Sequence, residues 1–315
     1  MRHGLSNRPV VAAVAGAFAI AFSAILFRLA DVSPSTGAVF RCLYALPPLW
    51  LLARLENRRF GPRPLRTRRL AWVAGAFFAA DLILWHHAIE AVGAGLATVL
   101  GNTQVVLVGL IAWVLLRERP DGRLLVAIPV VFGGVVLISG VVGGGAYGAN
   151  PGFGVLYGVL TGIAYSGFLL TLRQGNADLR RPAGPLFDAT LVAALAAVPA
   201  GFALGDLDPL PSWSAQGWLA LLALSSQVVG WLLISVSLPR LPAALTSVLL
   251  TLQPLLSVVF AGLLLGEDPS WAQLAGAGAI LAGLVLATAR RSRKAAADPV
   301  PHPAPAPAAA PARAD

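Results

Sequence analysis

Runs of mostly apolar residues recur along this chain, broken by short stretches in which arginine, proline and glycine collect. A helix needs about 20 such residues to cross a hydrocarbon core of ~30 Å. The runs predict spans at 10–29, 36–54, 71–91, 94–116, 122–140, 152–172, 184–204, 216–237, 243–265 and 271–290. They are about twice the length of a barrel strand and lack strict alternation, so only helices can satisfy their backbone groups in lipid. The expected fold class is an all-α membrane protein with ten transmembrane helices. The first run follows Met1-Arg2-His3 in the manner of a secretory signal, but it is too long for a signal core and nine spans follow it. It reads as an uncleaved first helix.

Composition excludes a water-soluble domain: 57% of residues are hydrophobic and 12% charged, against roughly 25% charged in ordinary soluble domains. The single cysteine, Cys42, lies inside an apolar run, which excludes an intrachain disulfide and a cluster of thiolate ligands. No cofactor or metal is expected.

The net charge of +9 would attract nucleic acid or anionic lipid, and position decides between them. Arginines follow span two (Arg54, Arg58, Arg59, Arg63, Arg66, Arg68, Arg69), span four (Arg117, Arg119, Arg123) and span six (Arg173, Arg180, Arg181). Arg2 and Arg8 precede span one, Arg240 lies between spans eight and nine, and Arg290 to Lys294 follow span ten. The other set of loops is bare. This places both termini in the cytoplasm and the chain in the inner membrane, with no role for nucleic acid. Residues 291–315 form an Ala/Pro tail expected to be disordered.

A shift of 149 residues superposes Ala94, Leu96, Val99, Leu100, Gln104, Leu107, Glu118 and Pro120 on Ala243, Leu245, Val248, Leu249, Gln253, Leu256, Glu267 and Pro269, and continues through Gly134 onto Gly283. The chain thus divides into repeats at 1–140 and 141–290. Five spans per repeat is an odd number, so the two copies enter the membrane with opposite orientation. The charges agree: the loop around Glu118 is basic and its copy around Glu267 is not. Inverted repeats with a site at their interface are a plan of secondary transporters.

The endings Leu115-Leu116-Arg117-Glu118-Arg119-Pro120 and Leu264-Leu265-Gly266-Glu267-Asp268-Pro269 resemble the EamA-like domains of the drug/metabolite transporter superfamily. Arg41 in span two, Gln253-Pro254 in span nine and the glycine-rich last spans add to the resemblance. It covers residues 10 to 290 and implies a ten-helix fold and export of small metabolites such as amino acids. In the first half Val105 stands where a proline often follows the glutamine, so span four is expected to lack the kink that Pro254 implies for span nine.

Ionisable groups at membrane depth cost about 2.5–3.5 kcal/mol on insertion scales, which makes each a functional candidate. Asp81 lies near mid-membrane in span three and shares a helix face with Trp85. A carboxyl there can exchange a proton or recognise a cation; a structural role through interhelical hydrogen bonds is the alternative. His86 and Glu90 form an i, i+4 pair on another face. Arg41 lies at a similar depth and is expected to pair with Glu90 structurally, with substrate binding as the alternative. Helical spacing gathers Thr161, Tyr165 and Phe168 on span six, Gln227, Trp231 and Ser235 on span eight, and Thr246, Gln253 and Ser257 on span nine. Of Asn102 and Gln104 on span four, only one can face inward. Asp81, Trp85, His86, Gln104, Tyr165, Gln227, Trp231 and Gln253 are therefore the candidates to line a cavity for a small amphipathic solute, with packing through polar residues as the bland alternative.

Two rival functions remain. An intramembrane enzyme would need a catalytic cluster, but adjacent His86 and His87 point about 100° apart on a helix, no His-Glu-x-x-His is present, and Ser166-Gly167 lacks the Gly-x-Ser context of an activated nucleophile. A passive channel is the third reading. The expectation is a secondary transporter, an exporter working by alternating access and proton-coupled through Asp81. Its expected partners are a small-molecule substrate and the bilayer, with the chain a monomer or homodimer.

Overall fold

The computed structural model describes residues 9–107, 110, 122–142, 145–176, 178, 180–237 and 243–288. The helices among them are α1 (Pro9–Ala21), α2 (Ser23–Ala30), α3 (Pro34–Phe60), α4 (Leu65–Val92), α5 (Ala94–Gly101), α6 (Gly122–Ile138), α7 (Pro151–Gly175) and α8 (Ala183–Leu204). There follow α9 (Trp213–Leu222), a π-helical stretch (Ala223–Gly230), α10 (Trp231–Ser237), α11 (Ala243–Leu265) and α12 (Trp271–Thr288). No strand occurs among the described residues. Among the described residues six rods are long and apolar enough to cross a membrane: Pro9–Ala30, Pro34–Phe60, Leu65–Val92, Pro151–Leu172, Ala183–Leu204 and Trp213–Ser237. Shorter apolar helices cover Ala94–Leu107, Gly122–Ile138, Leu252–Leu265 and Trp271–Ala287. Glu118 and the tail lie outside the described residues.

Local chemistry sets the helix ends. Pro34 and Pro151 occupy first turns, where a missing N–H costs nothing. Asn150 and Ser212 accept hydrogen bonds from the Phe153 and Ala215 amides at 3.3 and 3.2 Å. α3 and α4 run past the apolar spans into the arginine-rich turn, because lipid limits the apolar stretch and not the helix.

Packing follows a paired scheme. α4 lies along α7 and α8, α3 lies along α8, and α6 pairs with α12. α1 packs on the π-helical stretch, α10 and α11, while α5 packs on α11. Small residues set the closest approaches. A Cβ at Gly134 would stand 2.6 Å from the Gly276 carbonyl, and one at Gly276 would stand 2.6 Å from the Gly134 carbonyl.

Carboxylates bind the helix starts at both ends of the bundle. Near the end of α3, Glu56 accepts from the Ala183 and Gly184 amides at 3.0 and 2.9 Å, at the start of α8. Just past the end of α8, Asp206 accepts from the Ser35 amide at 3.2 Å, at the start of α3. The two helices therefore run antiparallel, each closed by an acid from the other's end. Beyond α11, Glu267 accepts from the Ala94 and Gly95 amides at 2.6 and 3.2 Å, at the start of α5. Each acid fills donors that a helix start leaves unpaired and meets the positive end of the helix dipole.

Candidate functional site

Arg41 organises the centre of the bundle. Its residue is 3% exposed. Nε donates to Gln227 Oε1 at 3.1 Å and Nη1 to Ser23 Oγ at 2.9 Å, while Gln227 Nε2 donates to Thr190 Oγ1 at 3.2 Å. The guanidinium lies 5.7 Å from the centre of the Trp85 ring, within cation–π range. Four rods thus fix one cation.

Arg41 and Asp81 face the same cavity. Its volume is ≈ 50 Å³, room for a few waters by the usual measure of ~10–15 Å³ each. Trp85, Tyr165, Trp231 and Phe78 form its apolar walls. Trp231 meets Phe168, Tyr165 and Phe78 edge-on at 5.2, 6.2 and 6.4 Å, the favoured geometry for aromatic pairs. Ser23, Thr98, Asn102, Thr161 and Gln253 supply neutral polar groups. Thr161 Oγ1 is buried without a partner, an unmet hydrogen-bonding group beside the cavity.

The helices around this cavity are irregular. α5 ends at Gly101, and Thr103 and Val106 donate to carbonyls three residues back at 3.0 and 2.9 Å. The π-helical stretch carries Gln227 and leads directly into Trp231. Irregular backbone at membrane depth is tolerated where protein buries it or it lines a cavity. Span four therefore breaks without the proline that the sequence lacks there, at Asn102 and Thr103, and the expectation of an unkinked helix is corrected.

Five of the eight predicted cavity residues line the cavity: Asp81, Trp85, Tyr165, Trp231 and Gln253. Gln227 stands behind it as the acceptor that orients Arg41. His86 is fully buried away from it, stacked on Phe27 at 4.0 Å with Nδ1 3.1 Å from the Pro34 carbonyl. Gln104 is buried outside the lining, and Asn102 is the inward-facing residue of that pair. The Arg41–Glu90 ion pair is corrected. Arg41 bonds Gln227 and Ser23, whereas Glu90 is exposed near the end of α4. Equal depth does not bring two residues together when their helices present them at different azimuths. Ser23, Thr98 and Phe78 were missed, because one small polar or aromatic residue in an apolar run carries no signal of its own.

The family model for EamA-like transporters matches residues 7–140 and again 152–289. The chain belongs to the EamA-like transporter family. The two matches give the two-repeat architecture of this family, one of transporters rather than enzymes, and with the long apolar helices they make the chain a multi-pass membrane protein. Membership points to a membrane transporter of small solutes. A solved crystal structure shares the fold of this EamA-like chain with a TM-score of 0.59 at 15% identity, over 90% of this chain and 96% of the other. No curated protein matches the sequence.

Proposed function

We propose that this EamA-like chain is a secondary transporter that exports a small amphipathic metabolite, an amino acid or close relative, across the inner membrane by alternating access. The observation that carries the reading is a guanidinium and a carboxyl on one aromatic-walled cavity, Arg41 and Asp81 beside Trp85, Tyr165 and Trp231. A solute carboxylate fits the donor of Arg41 and an ammonium fits Asp81, while the apolar part rests on the rings. Asp81, freed of the ammonium, is the group that takes up a proton and couples transport to it.

The reading includes ten spans in two inverted halves, the four shorter apolar helices completing the set. The antiparallel α3–α8 pair, with Glu56 and Asp206 closing opposite ends, supports inversion. So does the charge of the two ends: Arg63, Arg68, Arg180 and Arg181 gather at one, Asp206, Asp208, Glu267 and Asp268 at the other. The arginine-rich end is assigned to the cytoplasm, with both termini.

The test is counterflow in vesicles holding the purified protein, with a panel of labelled zwitterionic, cationic and anionic solutes. Saturable counterflow of a zwitterion, lost in Asp81→Asn, is expected. Turnover without flux would identify an enzyme, and flux that cannot support counterflow a channel; either refutes the proposal.

A further inference from the structure

A second pocket, of ≈ 150 Å³, lies at the arginine-rich end, lined by Arg63, Thr67, Asn176, Asp178 and Arg181 among others. It sits where the turn after α3 meets the turn between α7 and α8. Each half sends an arginine into the other. Arg63 donates through Nη2 to the Gly184 carbonyl at 2.9 Å and to Asp188, and Arg181 donates through Nη1 to the Gly61 carbonyl at 2.7 Å.

Three polar atoms of the pocket residues are buried without a hydrogen bond: Arg63 Nη1, Arg181 Nε and Asn176 Oδ1. Arg181 Nε is 3.3 Å from Asp178 Oδ2 but misaligned for a hydrogen bond. The side chain of Arg63 is 8% exposed and that of Arg181 10%. Arg63 Nη1, left bare in so buried a place, and Arg181 Nε, ion-paired but without a hydrogen bond, call for an acceptor, since an orphaned charged donor is costly. The Asn176 amide is equally placed as a donor, because its oxygen and nitrogen are assigned from the network.

The charges point the same way. Arg63, Arg68, Arg180 and Arg181 meet two carboxylates, Asp188 and Asp178. Asp178 is fully ionised, held at about 2 by hydrogen bonds from Arg180. Glu56 is engaged by the Ala183 and Gly184 amides. Even with Glu56 counted, four guanidinium groups face three carboxyl groups, so positive charge is left over, and two of the three atoms without a hydrogen bond are guanidinium donors.

We propose that this pocket binds a phosphate-type oxyanion, either the headgroup of an anionic phospholipid or free phosphate, held by Arg63 and Arg181 with Asn176 and Thr67. Because the two arginines come from different halves, the bound anion ties the halves together at this end and favours the conformation closed there. The site is separate from the central cavity and does not depend on the solute carried.

The full-length protein is placed in nanodiscs of phosphatidylcholine and titrated with inorganic phosphate, chloride holding the ionic strength, while thermal stability and heat of binding are followed. Parallel discs contain phosphatidylglycerol. A saturable rise in melting temperature with phosphate supports a free anion, and one with phosphatidylglycerol alone supports a headgroup. Arg63→Lys keeps the charge facing Asp188 but removes the second arm, and Arg181→Gln removes the other donor. Each should weaken the effect roughly tenfold or more. Lack of response to both probes, or a response that chloride reproduces or that both variants leave unchanged, overturns the site and indicates that the pocket holds water.

Discussion

Replacing Glu267 by leucine removes two acceptors at 2.6 and 3.2 Å while roughly keeping side-chain volume. The residue is 6% exposed, and Gly93, with φ +92°, lets the carboxyl approach: a Cβ there would stand 2.8 Å from Oε2. The amides of Ala94 and Gly95 lose their partner. An orphaned buried donor costs about 1–3 kcal/mol, and water entering from the loop returns part of it, so about 2–4 kcal/mol is expected for the pair. At about 2–4 °C per kcal/mol for a chain somewhat smaller than this one, the melting temperature should fall by roughly 4–16 °C. Glu267→Gln keeps one acceptor and should lose less than half as much. The assay is thermal unfolding of purified variants in one detergent near pH 5, read by tryptophan fluorescence. A leucine variant as stable as wild type, or a glutamine variant equally damaged, would refute the reasoning.

Burial holds the Glu267 carboxyl above its usual value, against the opposing pull of the two amides and Arg28. A raised acid contributes stability that is complete below its usual value and fades as pH rises through the shifted one. The stability of wild type relative to Glu267→Gln should therefore fall as pH climbs from about 4.5, and a rising difference in a pH series of melting curves would contradict it. Gly134→Val drives a branched side chain against the Gly276 carbonyl 2.6 Å from its Cβ position, and should cost about 1–3 kcal/mol in the same unfolding assay; no loss would mean that α6 and α12 do not meet there. Arg41→Lys keeps the charge but loses the fork that spans Gln227 and Ser23, and should reduce counterflow at least about tenfold with the fold retained.

The long apolar helices were legible because lipid imposes one rule on every element: about 20 apolar residues and no unpaired backbone. That rule placed the span of α11 at 243–265, as observed, and set α8 within a residue. The duplication was legible too, since the family model matches the chain twice. What stayed hidden was azimuth. His86 and Glu90 follow a clear i, i+4 spacing, yet the face they share says nothing about which neighbour it meets. Asp81 and Trp85 have the same spacing on the face that meets the cavity. The breaks at Asn102 and in the π-helical stretch were also unreadable, since neither needs a proline: surrounding protein holds them. The acids at the helix starts were visible as residues, but their partners lie 127 or more positions away and appear only once the halves are packed.

The proposed alternating access requires two halves that part at one end while closed at the other, and locking each end tests this most directly. Cysteines at Glu56 and Ala183, or at Ala94 and Glu267, are introduced in a Cys42→Ala chain and joined by a short bifunctional thiol reagent. Both links should stop counterflow, each leaving the protein folded and single-cysteine controls active. Counterflow that persists with either end locked would contradict the account.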